Sequence, residues 1–152
     1  MMNFLEYILE SKNHTLSGSV LIYNNKILLV RPKKFKKKMK KWSIPKGHIE
    51  DNMGKIETAM KELEEESRIK IKKDKYKSAE KGVLNYTKSG VNKILTYYVI
   101  KLNKDDIKIK LFNDMILGNF LKGETVEAGF FSKSDAKKII EKYQLELLKF
   151  LE

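Results

Sequence analysis

Residues 55–67, Lys-Ile-Glu-Thr-Ala-Met-Lys-Glu-Leu-Glu-Glu-Glu-Ser, constrain the fold more than any other stretch. Ile56, Ala59, Met60 and Leu63 recur at i, i+3, i+4 and i+7, one continuous apolar stripe of an α-helix. Such a stripe has to be buried against another layer. At about 100° per residue, Glu62, Glu65 and Glu66 share one sector about 100° wide, away from the stripe, while Glu57 and Glu64 fall on the other side. Like charges at i,i+3 and i,i+4 repel by about a few tenths of a kcal/mol per pair in solvent. A hard divalent cation such as Mg²⁺ reverses that cost, because it prefers carboxylate oxygens and leaves other positions for water and phosphate. Glu is also a good helix former that gathers on exposed faces. The spacing alone therefore leaves a metal site and a solvated face both open.

The elements around this helix alternate in type. Residues 19–23 and 26–30 are apolar β-type runs joined by Asn24-Asn25, a β-hairpin pattern. Phe4, Leu5, Ile8 and Leu9 predict a short helix over residues 3–12. Arg31, Lys33, Lys34, Lys36 and Lys41 belong to a basic loop that runs into Trp42-Ser43-Ile44-Pro45-Lys46-Gly47-His48, where Pro45 and Gly47 disfavour regular structure. Strand-like runs follow at 82–85 and 93–102, where Tyr97 and Tyr98 should face opposite sides. Residues 112–121 are ambiguous, and 128–131 read as a last strand. Ser132 or Ser134 caps a final helix running nearly to Glu152. Without repeats or long linkers, residues 1–152 read as a single α/β domain, with 1–16 as an N-terminal helix or extension.

Composition narrows the function. There are 32 Lys and Arg against 20 Asp and Glu, a net charge of +12. That excess favours polyanionic partners, namely nucleotides, other polyphosphates or RNA, although lysines can equally serve as solvated surface. With no cysteine, thiolate metal sites, disulfides and cysteine nucleophiles are excluded. No run approaches the roughly 20 apolar residues of a membrane helix, and the first residues lack the pattern of a signal peptide. The expectation is a soluble cytoplasmic protein with no membrane partner.

Gly47 followed fifteen positions later by Glu62-Leu63-x-Glu65-Glu66 resembles the Nudix box: Gly, five residues, Glu, seven residues, then Arg-Glu-apolar-x-Glu-Glu-x-Gly. Trp42-Ser43-Ile44-Pro45-Lys46-Gly47-His48 is similar to the Trp-x-x-Pro-Lys-Gly-His segment of Nudix enzymes acting on dinucleoside polyphosphates. The resemblance spans roughly residues 17–150. It implies an α/β fold, a Nudix-type α/β/α sandwich with a mixed β-sheet, and a pyrophosphohydrolase acting on acid anhydrides. By this resemblance the Gly47 carbonyl with Glu62, Glu65 and Glu66 holds Mg²⁺, with Mn²⁺ as a substitute. The same glutamates carry the catalysis, either Glu62 or Glu66 serving as base. An extra acid from outside the box is sought in Glu124 or Glu127. Arg31, Lys33, Lys46 and His48 are the expected substrate-binding residues.

Three box positions depart from the pattern. Met53 replaces the first Glu, Lys61 the Arg, and Arg68 the late Gly. The first Glu and the Arg resemble a supporting ion pair, which Met53 and Lys61 cannot form. All three departures spare the metal-binding positions. The leading substrate class is a dinucleoside polyphosphate of the diadenosine tetraphosphate type. The alternatives are an RNA 5′-end pyrophosphohydrolase or decapping enzyme, and a non-catalytic module that binds nucleotide or RNA.

Overall fold

The computed structural model describes residues 14–33, 41–118, 120 and 125–152. The helix expected over 3–12, Lys34 and Lys36 of the basic loop, and Glu124 lie outside the described residues. Strands β1 (Thr15–Tyr23) and β2 (Lys26–Pro32) form the expected hairpin. Asn24 and Asn25 both have positive φ, 51° and 56°, as the two central residues of a tight hairpin turn require. Then come β3 (Lys46–His48), α1 (Lys55–Ser67), α2 (Lys73–Lys77), β4 (Glu80–Lys88) and β5 (Val91–Lys101). The chain closes with β6 (Leu111–Phe112), β7 (Met115–Ile116), β8 (Thr125–Phe131), α3 (Lys133–Ile139) and a 3₁₀ segment, Lys142–Phe150.

The sheet is mixed, in the order β4-β5-β1-β2-β8-β7-β6, with β3 attached to β1. One edge of β1 pairs with β5, in parallel, from Thr15 to Ile22. Its other edge is forked: Ile22 and Tyr23 pair with β2, whereas Leu16, Ser17 and Gly18 pair with β3. Between the prongs Ser19 N–H donates to the Pro45 carbonyl at 3.1 Å, and Val30 exchanges two hydrogen bonds with Ser43 at 2.8 and 3.0 Å. The segment 42–48 thus fills a gap that a simple hairpin would leave open.

Period-2 alternation divides the core into two layers. Val20, Ile22, Ile27, Leu29 and Tyr97 pack with Trp42, Ile140 and Leu147 beneath the C-terminal helices. Leu21, Leu28, Val30, Tyr98 and Phe130 pack with Ala59, Leu63 and Tyr76 beneath α1 and α2. This is the expected α/β/α sandwich, with Tyr97 and Tyr98 on opposite faces.

Three details differ from the sequence reading. Thr58 and Ser67 are buried on α1 alongside Ala59 and Leu63, whereas Ile56 and Met60 are only half-buried. Their hydroxyls are satisfied within the helix, Thr58 Oγ1 on the Gly54 carbonyl at 2.8 Å and Ser67 Oγ on Leu63 at 2.6 Å. The buried face is therefore turned toward Glu62 and Glu66, which border it instead of pointing away. The stretch left ambiguous by the sequence begins with β6 and β7, which lie within residues 111–116 around a turn in which Asn113 and Asp114 have φ of 49° and 65°. The final helix is not continuous: Ile140 is extended (φ −70°, ψ 146°) because the chain there turns to bond with Trp42. Ser132 is its cap, accepting from Asp135 N–H at 3.3 Å. Among the described residues no helix is long and apolar enough to cross a membrane.

Helix α1 ends with Arg68 left-handed (φ 68°, ψ 4°) and its N–H on the Glu64 carbonyl at 2.8 Å, the helix-end conformation that glycine at the late box position accommodates most easily. A side chain at such a φ costs about 1 kcal/mol relative to glycine. Arg68 partly offsets this through Nη1, which donates to the Leu117 carbonyl at 2.6 Å. Both Arg68→Ala and Arg68→Gly lose that bond, but only Gly relieves the backbone. The Gly variant should be about 1 kcal/mol more stable than the Ala variant in urea unfolding; equal midpoints would refute the strain.

Candidate active site

The site is built where β3 meets α1. Ser17 Oγ on β1 donates to the Lys55 carbonyl at 2.6 Å and pins the start of the helix to the sheet. Gly18 lets the next segment approach, since a Cβ there would lie 2.7 Å from the Pro45 carbonyl oxygen and 2.9 Å from Lys46 Cβ. Gly47 lies against α1 in turn: a Cβ on it would meet the Glu62 carboxyl group, which would have to rotate away. The Lys46 N–H points at the Glu66 carboxylate, 3.3 and 3.4 Å from its two oxygens. Gly47 and the Lys46 amide thus bring two box glutamates against the backbone of β3.

Glu62 and Glu66 open into a cleft of about 460 Å³. Gly47, His48, Glu141 and four lysines, Lys41, Lys46, Lys88 and Lys93, line it with them. A larger cavity of about 650 Å³ lies on the Met60–Lys61 side of α1 but holds neither Glu62 nor Glu66. Three of its five lysines carry ion pairs: Lys75 with Asp106 at 3.1 Å, Lys70 with Glu64 at 3.6 Å and Lys61 with Glu50 at 3.5 Å. The smaller cleft is the one in which reactive groups converge.

Its electrostatics are those of a crowded cationic site. Burial pushes the Lys46 ammonium below its ordinary pKa; Glu66 opposes the shift, and Lys88 adds to it. The His48 imidazole is also pushed down, first by loss of solvent and then by Lys93 and Lys46. Glu64, Glu65 and Glu66 crowd the last turn of α1, where the helix dipole disfavours negative charge and no basic residue is present. Paired carboxylates beside a glycine backbone are hard oxygen donors. They suit Mg²⁺, which needs only one or two carboxylates plus water and phosphate.

The structure brings together Gly47, Glu62, Glu66, Lys46 and His48. Glu65 is placed apart, 3.9 Å from Lys61 and outside the cleft lining. Among the described residues no three acidic or histidine side chains are gathered closely enough to hold an ion as they stand. Lys61 also lies 3.5 Å from Glu50, so a loop carboxylate takes the place of the partner that Met53 cannot supply. Glu50 is exposed and Lys61 half-buried, and a pair so open to solvent contributes little stability. Arg31 and Lys33 do not line the cleft. Alternation along β2 turns Val30 and Pro32 toward it, while Arg31 lies against Glu127 (2.5 Å) and over the Trp42 ring at 5.9 Å. Glu127, one of the two candidates for an extra acid, is engaged in that pair. Trp42 itself is a core residue, packed edge-on against Phe131.

Sequence reasoning missed Lys88, Lys93 and Glu141. Lys88 and Lys93 flank the Ser89-Gly90 turn, and the register pairs Tyr86 with Lys93, so both lysines share one face of the β4–β5 hairpin. The turn carried a usable signal. Glu141 had none, because it reaches the cleft through the Trp42 pairing that interrupts the final helix.

A family model described as the NUDIX domain matches residues 13–150. The chain belongs to the NUDIX domain family. As expected from the box, it is a Nudix hydrolase of the pyrophosphohydrolase class. Solved structures share its fold at low identity. An Ap4A hydrolase from C. elegans, in a binary complex, is 23% identical with a TM-score of 0.61, covering 89% of this chain and 92% of that one. A MutT NUDIX hydrolase from Burkholderia pseudomallei is 16% identical with a TM-score of 0.64, covering 90% and 95%. A bifunctional NMN adenylyltransferase/ADP ribose pyrophosphatase from Francisella tularensis, complexed with AMP and Mn ion, is 16% identical with a TM-score of 0.68. That alignment covers 96% of this chain and 46% of the bifunctional protein.

The depressed His48 pKa gives a signed expectation. Protonation is harder in the folded than in the unfolded chain, so His48 lowers stability as pH falls below about 6.5, the unfolded value. That loss is complete once pH drops below the folded value. An NMR titration should place the His48 midpoint below 6.5; a midpoint above it would contradict the cationic surroundings.

Proposed function

We propose that this Nudix hydrolase cleaves a phosphoanhydride bond in a nucleoside diphosphate-linked substrate, with dinucleoside polyphosphates as the leading class and Mg²⁺ as cofactor. The observation that carries this reading is the single cleft in which Glu62 and Glu66 meet four lysines. A polyphosphate needs both: a run of positive charge to lie along, and acidic groups beside the bond to be cut.

The residues that would hold the metal are Glu62 and Glu66 with the Gly47 carbonyl, and Glu65 on giving up Lys61. Mn²⁺ would substitute. Once bound, the ion neutralises charge on the phosphate oxygens and acidifies a water molecule. The chain's own side chains do the remaining work. Lys41, Lys46, Lys88 and Lys93 hold phosphate oxygens as point charges. In a partly dehydrated cleft those attractions are stronger than in bulk water. Glu62 or Glu66 accepts the proton of the attacking water as its oxygen bonds to phosphorus, and the bridging P–O electrons leave with the departing phosphate. His48, neutral near pH 7, is available as a hydrogen-bond donor to the same phosphates. The fold shared with the C. elegans Ap4A hydrolase and the Trp42–His48 segment both support the dinucleoside polyphosphate class.

A net charge of +12 favours a second reading, in which the polyphosphate is the 5′ end of an RNA. RNA affinity would then fall steeply with salt, in proportion to the phosphates contacted. One panel separates the readings: diadenosine tetraphosphate, a nucleoside triphosphate, a nucleotide sugar and 5′-triphosphate RNA, each with Mg²⁺. The parent should hydrolyse diadenosine tetraphosphate best, and Glu66→Gln should lower kcat by about 10²–10⁴-fold. Identical phosphate release from both proteins would leave a nucleotide-binding module in place of an enzyme.

A further inference from the structure

Glu141 is a carboxylate that the hydrolytic site does not account for. It is 6% exposed, yet it lines a cleft that has to receive phosphates. Its charge repels such a ligand, and burying it does not explain itself through stability, because buried ion pairs are seldom better than apolar packing. The backbone of Glu141 is also fixed in place. Its N–H donates to the Trp42 carbonyl at 2.8 Å, and its own carbonyl accepts from Gln144 N–H at 2.9 Å. The Gln144 side chain accepts in turn from Ile44 N–H at 2.9 Å. From this anchored position Glu141 Oε1 lies 3.5 Å from Lys88 Nζ.

Lys88 is the last residue of β4, with a side chain 39% exposed. Such a flexible four-carbon stem loses much rotamer freedom when it is fixed on a ligand. An ammonium has three N–H donors, so one can remain on Glu141 while two face a phosphate. We propose that Glu141 is a positioning residue, which anchors the Lys88 ammonium in the cleft so that it meets the substrate's phosphates already ordered. This rests on the polyphosphate reading above and assigns Lys88 and Glu141 to it as a unit.

The alternative has the opposite sign. If Glu141 acts on phosphates only through its charge, removing that charge tightens binding. The test is calorimetric titration of the full chain with inorganic tripolyphosphate, comparing the parent, Glu141→Gln, Glu141→Asp, Lys88→Met and the double variant Glu141→Gln/Lys88→Met. Glu141→Gln and Lys88→Met should each weaken binding about tenfold, and the double variant should be no weaker than Lys88→Met alone, as expected for two groups that act together. Glu141→Asp should recover part of the loss. In hydrolysis the same variants should raise KM far more than they lower kcat. Lys88→Met, at a partly exposed site, gives a second route should Glu141→Gln fold poorly. Unchanged or tighter binding by Glu141→Gln, losses that multiply in the double variant, or a parent that does not bind tripolyphosphate would each overturn the assignment. A parent that shows the calorimetric pattern but hydrolyses nothing in the panel would sink the enzymatic reading and leave this one standing.

Discussion

The forked pairing of β1 is the constraint on which the rest of the structure depends. A strand edge has one row of hydrogen-bonding groups, and here that row is divided between β2 at one end and β3 at the other. The division sends segment 42–48 across the sheet, held by Ser19 and Val30, and sets Gly47 where α1 passes. Helix α1 is fixed to the same strand through Ser17. Two elements that contribute groups to one site are thus referenced to a single strand. The close approach of Gly47 to Glu62 follows from that shared reference.

Charge placement in the cleft is unfavourable taken group by group. Four lysines crowd together, and glutamates occupy the wrong end of a helix dipole. Each set relieves the other in part, as the Lys46–Glu66 and Lys88–Glu141 relations show. A helix that served only to cover a sheet would have no reason to collect acids at this end. The departures from the family pattern fit the same view. Lys61 keeps a cation at the box arginine position and draws its partner from Glu50, while Arg68 accepts a strained backbone and ties down Leu117 instead.

Much of this was legible in the sequence where the signal is local. The Asn24-Asn25 hairpin, the bounds of α1 and the opposite faces of Tyr97 and Tyr98 follow from short-range rules that no distant contact overrides. The errors share a different origin. The stripe of Ile56, Ala59, Met60 and Leu63 located the helix but not its rotation, because Thr58 and Ser67 satisfy their hydroxyls internally and become buriable. Arg31 read as a phosphate ligand in a basic run, but strand alternation turns it toward Glu127. The final helix read as continuous because nothing between Ser132 and Phe150 breaks a helix locally; Trp42, some hundred residues earlier in the chain, does so from across the fold. Glu141 was invisible for the same reason.

That interruption has a mechanical consequence. Trp42 is clasped by the backbone on both sides, its N–H on Ile139 and its carbonyl on Glu141, and Ile44 is held by Gln144. The part of the cleft wall carried by residues 42–44 and the C-terminal segment are therefore coupled, and neither swings without breaking the other's bonds. A ligand that meets this wall meets a surface whose shape is set before it arrives.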